Sequence, residues 1–373
     1  MVDLQSQYKR LEKEIDAAIK EVINGASFIN GPQVKTFCAR LADYLNIAYV
    51  IPCGNGTDTI RLALQALNVQ PGDEVIIPAF TYIAAAEMVA SLGLIPVVVD
   101  VDADTFNINT ELLERAITRK TKAIIVVHLF GQACDMEAVM KLAAKYKVKI
   151  IEDNAQSLGA DYTFSDGTVK KAGAIGHIGT TSFFPTKPLG CYGDGGAVMT
   201  ADAALAEQIR LLANHGQTAK YHHKIVGCNS RLDTLQAAIL NVKMNYMEDF
   251  TRARQKVALY YDRILSQVSS IKIPAKTLFS THVYHQYTIR VSNGQRDALQ
   301  HYLKEQGIPA TVYYPMAVHE QEGYKWVARV SGDPSVATRL SKEVLSLPIH
   351  SEMTDEMMQW IADRIIQFFR TIS

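Results

Sequence analysis

Residues 180–196 read TTSFFPTKPLGCYGDGG and contain a single lysine, Lys187. Four glycines follow that lysine, at positions 190, 193, 195 and 196. Glycine lets the backbone adopt positive φ angles and pass close to a ligand. A lysine held on such a turn and partly removed from water has a lowered pKa, so its neutral amine can attack a carbonyl carbon. A solvated loop lysine is the simpler alternative, and this stretch alone does not exclude it.

A second stretch, VKIIED at residues 148–153, makes the catalytic interpretation more specific. It is an apolar run that ends in acid, which is typical of a buried parallel strand. Ligands of open α/β sheets bind outside the carboxyl ends of the strands, so Asp153 is predicted to lie at a site. In pyridoxal 5′-phosphate (PLP) sites an acid pairs with the pyridinium nitrogen and a lysine holds the aldehyde. Asp153 and Lys187 together therefore predict a PLP site.

Eight motifs in order make the chain resemble a known family, the sugar-nucleotide aminotransferases of the DegT/DnrJ/EryC1/StrS family. They are DLQSQYKRLEKEIDAAI, GNGTDTIRLAL, IPAFTYIAAAE, VDVDADTFNI, IEDNAQSLGA, SFFPTKPLGCYGDGG, NHG and GCNSRLDTLQAA. The resemblance extends over nearly the whole chain and implies a PLP enzyme of fold type I. Within the family, the chain is most similar to enzymes that aminate UDP-2-acetamido-2-deoxy-3-oxo-D-glucuronate.

The composition is that of an ordinary globular protein. Of 373 residues, 48% are apolar and 20% charged, and 38 basic side chains balance 38 acidic ones. No bulk field therefore favours nucleic acid or an anionic membrane. No apolar run reaches the roughly 18 residues that span a bilayer, and the N-terminus has no apolar signal core. The five scattered cysteines form no CxxC pair, which predicts reduced thiols in a cytoplasmic protein and no metal site.

Alternating strand and helix patterns predict a mostly parallel sheet with helices on both faces, an α/β fold. Strands are expected at 74–77, 96–101, 122–128 and 148–152, and helices at 57–67, 81–92, 110–118 and 135–146. One helix from 230 to about 265 is expected to lead into a second domain. With the resemblance, the prediction is the aspartate aminotransferase fold type I. Residues 1–250 form a large PLP-binding domain with an N-terminal helical segment, and residues 251–373 form a small α+β domain.

The GNGTDT stretch follows a short apolar run and precedes a helical pattern. A strand, a glycine turn and a helix start bind phosphate well, because the N–H groups and dipole at a helix N-terminus favour an anion. An ordinary N-capped helix is the alternative. The resemblance implies that Gly56, Thr57 and Asp58 hold the PLP phosphate.

The resemblance also implies roles for residues farther along the chain. Tyr82 stacks on the pyridine ring, although a core role is the alternative. Gln156 orients the ring or its phenolic oxygen, and the Ser182 hydroxyl binds the phosphate. Asn229 reaches the phosphate of the neighbouring subunit, which implies a homodimer with shared active sites. Three residues are expected near the substrate: Arg231, Tyr314 and His319. A core role for Tyr314 is equally plausible.

These observations predict PLP-dependent transamination of a keto sugar nucleotide. Lys187 bonds to the cofactor and then serves as general acid and base. The resemblance implies L-glutamate as amino donor, the UDP-linked 3-oxo-glucuronate as acceptor, and a surface polysaccharide or lipopolysaccharide as destination. One alternative is 4-amination of a UDP- or dTDP-4-keto-6-deoxy sugar. PLP-dependent sugar dehydration is disfavoured by the presence of Lys187. A regulatory protein of the same fold would need neither Lys187 nor Asp153.

Overall fold

The computed structural model describes residues 1–372, in which helices and strands alternate along most of the chain. The helices are α1 (Leu4–Gly25), α2 (Pro32–Leu45), α3 (Gly56–Ala66), α4 (Ala84–Ser91), α5 (Thr110–Ala116), α6 (Met136–Tyr146), α7 (Ala203–Ala213), α8 (Thr234–Met244), α9 (Met247–Leu265), α10 (Arg296–Glu305), α11 (Ser335–Glu343) and α12 (Asp355–Ile372). The strands are β1 (Tyr49–Cys53), β2 (Glu74–Pro78), β3 (Ile95–Val99), β4 (Thr121–Val127), β5 (Lys149–Asp153), β6 (Asp161–Thr163), β7 (Val169–Lys171), β8 (Ile178–Ser182), β9 (Gly196–Thr200), β10 (Gln217–Ala219), β11 (His222–His223), β12 (Ile271–Lys272), β13 (Tyr287–Val291), β14 (Arg329–Ser331) and β15 (Val344–Leu347).

The largest sheet has eight strands in the order β1-β9-β8-β5-β4-β2-β3-β14. From β8 to β14 every neighbouring pair is parallel, and β9 runs antiparallel to both β8 and β1. The mostly parallel α/β sheet that the sequence predicts is confirmed. Ser182, the last residue of β8, pairs with Gly196, the first residue of β9. The residues between them therefore form a loop at the carboxyl edge of the sheet. That loop contains Lys187.

The central strands are apolar on both faces because helices cover both sides of the sheet. Consecutive residues alternate between two separate hydrophobic clusters: Ile77 and Val98 belong to one, and Ile76 and Val97 to the other. These side chains are completely buried. Burial on both faces explains the unbroken Val and Ile runs of these strands. It also fixes the register that brings the strand ends to one edge.

One helix prediction is wrong. The segment expected as a single helix from 230 to about 265 is two helices, α8 and α9, with Asn245 and Tyr246 between them. Tyr246 leaves the helical region with φ −115° and ψ 7°. Residues 230–233 are not helical either, because the Ser230 N–H donates to the Ala213 carbonyl and the Thr234 N–H to the Phe28 carbonyl. Tertiary hydrogen bonds here override a continuous helical pattern.

A smaller, antiparallel sheet forms from the C-terminal part of the chain. Its order is β12-β13-β15, and its core includes Tyr261 of α9, Leu299 of α10 and Ile365 of α12. The strand β14 instead pairs with β3 at the edge of the large sheet. Residues after 250 therefore build most of one unit and an edge of the other, and the domain division at 250 stays a prediction.

Neither a membrane span nor a metal cluster is found among the described residues. No helix within residues 1–372 is long and apolar enough to cross a membrane. In the same part of the chain, no three His, Cys, Asp or Glu side chains are grouped so that they could hold a metal ion.

Candidate active site

Asp153 lies at the carboxyl end of β5, next to Thr180 of β8. Its Oδ1 accepts a hydrogen bond from the Ala155 N–H at 3.0 Å. Burial raises the pKa of Asp153, whereas the Ala155 N–H and the positive charge of Lys187 act in the opposite direction. A buried carboxylate is stabilised by a cation in contact with it. A protonated ring nitrogen would supply such a cation.

The neighbouring acid, Glu152, points to the other face of β5 because strand side chains alternate. It is fully buried and accepts the N–H groups of Gly173 and Ile175 at 2.8 and 2.7 Å. It also lies 2.9 Å from His128 Nε2. His128 Nδ1 accepts the Cys134 N–H at 3.1 Å, so the imidazole proton is on Nε2 and points at Glu152.

This buried pair joins the ends of two strands beneath the site. The backbone N–H of His128 donates to the backbone carbonyl of Asp153 at 3.1 Å, which ties β4 to β5. Sequence reasoning missed both members of the pair. The available signal was the doublet Glu152–Asp153, since two consecutive acids at a strand end cannot both face the same ligand.

Lys187 lies on the loop between β8 and β9. Its backbone N–H donates to the Phe184 carbonyl at 2.9 Å. Burial lowers the pKa of Lys187, and the negative charge of Asp153 partly opposes this shift. Within residues 1–372, Lys187 Nζ forms no hydrogen bond or ion pair. The arrangement presents an amine that loses its proton more readily than an ordinary lysine, as a nucleophile toward an aldehyde must.

The N-terminus of α3 and the end of β8 touch each other. A Cβ atom on Gly56 would lie 2.6 Å from the Cβ of Ser182, so only glycine fits. Asn55 caps the helix by accepting the Asp58 N–H at 2.7 Å. The N–H groups of Gly56 and Thr57 and the Ser182 hydroxyl thus converge on one small region, which suits a phosphate group.

Asp58 has a different arrangement from its neighbours on α3. Its N–H is already used by Asn55, and its carboxylate pairs with Arg61 at 3.2 Å. Asp58 therefore offers no free donor, and its negative charge would repel a phosphate. Its contacts are those of a helix-capping turn.

Three side chains form a wall beside Asp153. Gln156 Oε1 accepts the Phe130 N–H at 2.8 Å, and its Nε2 donates to the Tyr314 hydroxyl at 3.0 Å. Burial raises the pKa of Tyr314, the Gln156 hydrogen bond lowers it, and the Asp153 charge raises it again. The Tyr314 ring also lies 6.2 Å from the ring of Tyr82, which is 57% exposed. An open aromatic face of this kind can stack on a planar ring.

The segment from 214 to 231 carries two of the predicted residues on an exposed excursion. Ser230 is buried, and its Oγ accepts the Gly54 N–H at 3.0 Å, close to the start of α3. Asn229 is exposed and pairs only through its backbone, with Asn214. Arg231 is half-buried and makes no hydrogen bond or ion pair among residues 1–372. Among residues 1–372, neither side chain forms a hydrogen bond or ion pair with Lys187 or Asp153.

Among residues 1–372, the His319 side chain forms no hydrogen bond with any of the other predicted site residues. It lies in a short 3₁₀ segment, Val318–Glu320, with Nε2 3.4 Å from the hydroxyl of Thr338 in α11. Burial lowers its pKa. The Val318 N–H does donate to the Ala79 carbonyl after β2, so this segment packs beside the sheet edge.

Another histidine lies closer to the site and was missed. His285 is 5% exposed and its Nδ1 has no hydrogen-bond partner. Burial lowers the pKa of His285, and the positive charge of Lys187 lowers it further. His285 is therefore neutral near the lysine amine. Its place before a short strand gave no signal that separates it from an ordinary core residue.

The sheet, the edge loop with its lysine and the acid at the neighbouring strand end define a PLP-dependent enzyme of fold type I. The DegT/DnrJ/EryC1/StrS aminotransferase family model matches residues 9–366. The chain belongs to that family and is a sugar aminotransferase that acts on a sugar nucleotide.

Three relatives illustrate the range of the family. The UDP-2-acetamido-2-deoxy-3-oxo-D-glucuronate aminotransferase of Pseudomonas aeruginosa is 47% identical, over 94% of each chain. A pleiotropic regulatory protein of Geobacillus stearothermophilus is 45% identical over 99% of this chain and 98% of its own. The dTDP-3-amino-3,6-dideoxy-alpha-D-galactopyranose transaminase of Aneurinibacillus thermoaerophilus is 39% identical over 98% of each.

Solved structures agree with this assignment and with the cofactor. A DegT/DnrJ/EryC1/StrS aminotransferase from Brucella abortus superposes with a TM-score of 0.94 at 40% identity, covering 99% of this chain and 98% of that one. A sugar aminotransferase from Streptococcus pneumoniae, in its PLP form, gives a TM-score of 0.89 at 25% identity, covering 97% of each. The expectation of PLP as cofactor is confirmed.

Proposed function

We propose that Lys187 and Asp153 are the catalytic residues and that the strand-edge wall holds the cofactor. Lys187 Nζ would bind the aldehyde carbon with loss of water, and the Asp153 carboxylate would keep the ring nitrogen protonated. Bound PLP supplies an electron sink for the reacting carbon. When the amino group of the substrate has displaced Lys187 from the cofactor, Lys187 Nζ would move a proton between the substrate carbon that bears this amino group and the cofactor. The lowered pKa of Lys187 supports this role, because a base works best when its pKa is near the working pH.

The remaining contacts hold and orient the cofactor. The N–H groups at the start of α3, from Gly56 and Thr57, bind the phosphate together with the Ser182 hydroxyl. Gln156 orients the ring, because both ends of its amide are fixed, by Phe130 and by Tyr314. The exposed face of Tyr82 stacks on the ring.

We infer that the amino acceptor is a UDP-linked 3-oxo uronate, UDP-2-acetamido-2-deoxy-3-oxo-D-glucuronate. Arg231 fits this assignment, because its guanidinium is half-buried and has no anionic partner among residues 1–372. A guanidinium binds a carboxylate through two parallel hydrogen bonds, and a uronate adds one carboxylate to the two phosphates of the nucleotide. The observation that carries the assignment is the 47% identity to an enzyme named for this substrate.

The second candidate is a dTDP- or UDP-linked keto sugar without the carboxylate, such as a 4-keto-6-deoxy sugar. Relatives named as transaminases of dTDP-linked 3-amino sugars favour a substrate without the carboxylate, although their names give amination at C3 and not at C4. Arg231 suits a diphosphate as well as a carboxylate, so its presence fits both candidates.

We further propose that the protein works as a homodimer with L-glutamate as amino donor. Asn229 supports the dimer, because its side chain is exposed and has no hydrogen-bond partner among residues 1–372. The donor, the cytoplasmic location and the destination of the product in a surface polysaccharide or lipopolysaccharide rest on the resemblance of the motifs.

The substrate assignment is tested by running the reaction backwards, because the 3-oxo sugar is expected to be unstable. UDP-2-acetamido-3-amino-2,3-dideoxy-glucuronate is incubated with enzyme and 2-oxoglutarate, and glutamate formation is followed. The 4-amino-6-deoxy analogue and the 3-amino sugar without the C6 carboxylate are run beside it. Faster turnover of the 4-amino compound would reject the 3-oxo assignment.

Arg231→Lys separates the two roles open to Arg231. If the guanidinium binds the carboxylate, KM rises for the uronate and stays unchanged for the matched sugar that lacks the carboxylate. If it binds the diphosphate, KM rises equally for both.

A further inference from the structure

A second lysine, Lys243 of α8, is buried directly behind the loop that contains Lys187. It is 1% exposed. Its Nζ donates to the Gly190 carbonyl at 2.8 Å and lies 4.3 Å from the ring centroid of Tyr192. No carboxylate pairs with it among residues 1–372. A buried ammonium with only a carbonyl and an aromatic ring as partners is unfavourable for folding, so its placement calls for a reason.

The loop makes hydrogen bonds of its own at its two ends. The backbone N–H groups of Lys187 and Cys191 donate to the Phe184 and Phe183 carbonyls, at 2.9 and 2.8 Å. Pro185 and Pro188 have no N–H to donate. A Cβ on Gly190 would lie 2.3 Å from the Pro185 carbonyl oxygen, so the loop closes on itself at this glycine.

Lys243 supplies the hydrogen bond to that closing point. Among the described residues, it is the only side chain outside the loop and β8 that hydrogen-bonds to residues 184–190. Gln236 lies seven residues before Lys243, on the same face of α8. It fixes the next part of the loop, because its Oε1 accepts the Tyr192 N–H at 2.8 Å. The α8 surface therefore supports the loop from behind.

We propose that Lys243 is a positioning residue, which sets the orientation of Lys187 toward the cofactor by holding the Gly190 carbonyl. Lys243 touches neither cofactor nor substrate, because it is buried behind the loop. Without its ammonium, the Gly190 carbonyl loses its partner and the loop can shift. Misplacing a reacting group by about 1 Å can cost up to about a hundredfold in rate. This inference rests on the proposed bond between Lys187 and PLP.

The test compares Lys243→Met with the wild type. Methionine keeps the length and apolar stem, and replacing a buried charge with a well-packed apolar side chain is often neutral or stabilising. We expect an unchanged or higher unfolding midpoint. We also expect capture of added PLP by the apo-protein to slow about tenfold, with a shift in the pH midpoint of the cofactor absorbance. Turnover should fall about tenfold, with KM for the sugar nucleotide within about twofold.

Two further variants keep the test decisive. Gln236→Leu leaves Lys243 in place and should produce a smaller shift of the same absorbance midpoint. Ile365→Val, in the core of α12, should lower the unfolding midpoint without moving the absorbance. Lys243→Arg, which keeps a donor and the charge, should recover part of the capture rate.

The outcomes separate this inference from the proposed catalytic role. A wild-type protein that carries no pyridoxyl group on Lys187 after borohydride reduction would reject both. If the wild type carries it there, and Lys243→Met matches the wild type in absorbance midpoint and capture rate, Lys243 is not a positioning residue. If Lys243→Met fails to fold, an unchanged midpoint in Gln236→Leu rejects the inference.

Discussion

The wall beside Asp153 and the excursion from 214 to 231 differ in how many of their polar side chains find hydrogen-bond partners within one chain. In the wall, Gln156 uses both ends of its amide within the chain, and Asp153 accepts a backbone N–H. On the excursion, Tyr221 is 81% and Val226 is 92% exposed, and the side chains of Asn229 and Arg231 have no partner among residues 1–372.

The difference indicates which functions one chain can perform alone. In the proposed site, the groups that bind the cofactor ring and aldehyde come from strand ends and the edge loop of one chain, and Asn229 of the neighbouring subunit adds only a contact to the phosphate. Large exposed apolar side chains are more typical of an interface than of a free surface. We therefore expect cofactor chemistry to be damaged by changes in the wall, and site completion across subunits to be damaged by changes in the excursion.

The largest effect is expected for Lys187→Ala. The variant should still bind PLP without a covalent bond, because the phosphate and ring contacts remain, but turnover should fall by more than about 10⁴-fold, since nucleophile and base are lost together. Lys145→Ala, which removes only a surface ion pair with Glu114, serves as the control and should keep full activity. Borohydride reduction and peptide mapping check the attachment site. A pyridoxyl group on another lysine would contradict the assignment.

Asp153→Asn should have the next largest effect. Removing one partner of a buried charge pair costs about 3–5 kcal/mol, and about 1.4 kcal/mol corresponds to a tenfold change in rate. Turnover should therefore fall by about two orders of magnitude or more, while PLP still attaches to Lys187. Asp161→Asn, which affects an ion pair with Lys171 at 2.8 Å, is the control and should be nearly neutral. Near-normal turnover of Asp153→Asn would remove Asp153 from the catalytic residues.

Residues with a local pattern could be predicted from the sequence. Asp153 ends the short strand β5, which has Ile150 and Ile151 at its centre, so the edge rule for α/β sheets is enough to place it at the carboxyl edge. The start of α3 was predicted within one residue, because glycine and asparagine precede an amphipathic run. In each case a short stretch of chain contains the whole signal.

Features that depend on tertiary contacts could not be predicted. The strand β14 has three residues and exists only because β3 offers an edge. The break between α8 and α9 lies inside a continuous helical pattern. The same holds for His128 with Glu152, which meet only in the folded sheet. Lys243 left one clue, a lone cation in the apolar stretch AAILNVKM.

The third prediction concerns Lys243, which lies behind the loop that contains Lys187, and the pH dependence of its contribution to stability. Burial lowers the pKa of Lys243 to about 8, and the Cys191 thiol partly opposes this. Between about pH 8 and the ordinary value of 10.5, the Lys243 side chain therefore holds more protons in the unfolded chain than in the folded one, so its contribution to stability rises with pH across that window. At about 1.4 kcal/mol per pH unit, the gain approaches about 3 kcal/mol.

Lys243→Met should lose this gain. Urea unfolding of both proteins at several pH values measures the difference in unfolding free energy, which should move in favour of the wild type as pH rises through the window. Burial raises the pKa of the nearby Cys191 thiol to about 11, so its ionisation in the unfolded chain lowers stability in the same window. Both proteins contain Cys191, so this contribution cancels to first order when they are compared. Parallel stability curves for the two proteins would mean that the ammonium is not desolvated in the folded state.

The smallest expected signal tests the excursion directly, through shared sites in a dimer. Lys187→Ala removes the lysine of its own site, and Asn229→Ala removes a residue that we assign to the site of the partner. A mixed dimer then combines one intact site with one that lacks both residues. Because half of randomly reassembled dimers are mixed and each has one intact site of two, a one-to-one mixture should recover about a quarter of wild-type activity. Each variant alone, taken through the same dissociation and reassembly, is the control. If every mixture stays inactive while both variants fold and dimerise, then Asn229 serves its own chain or no site at all, and the exposed excursion needs another explanation.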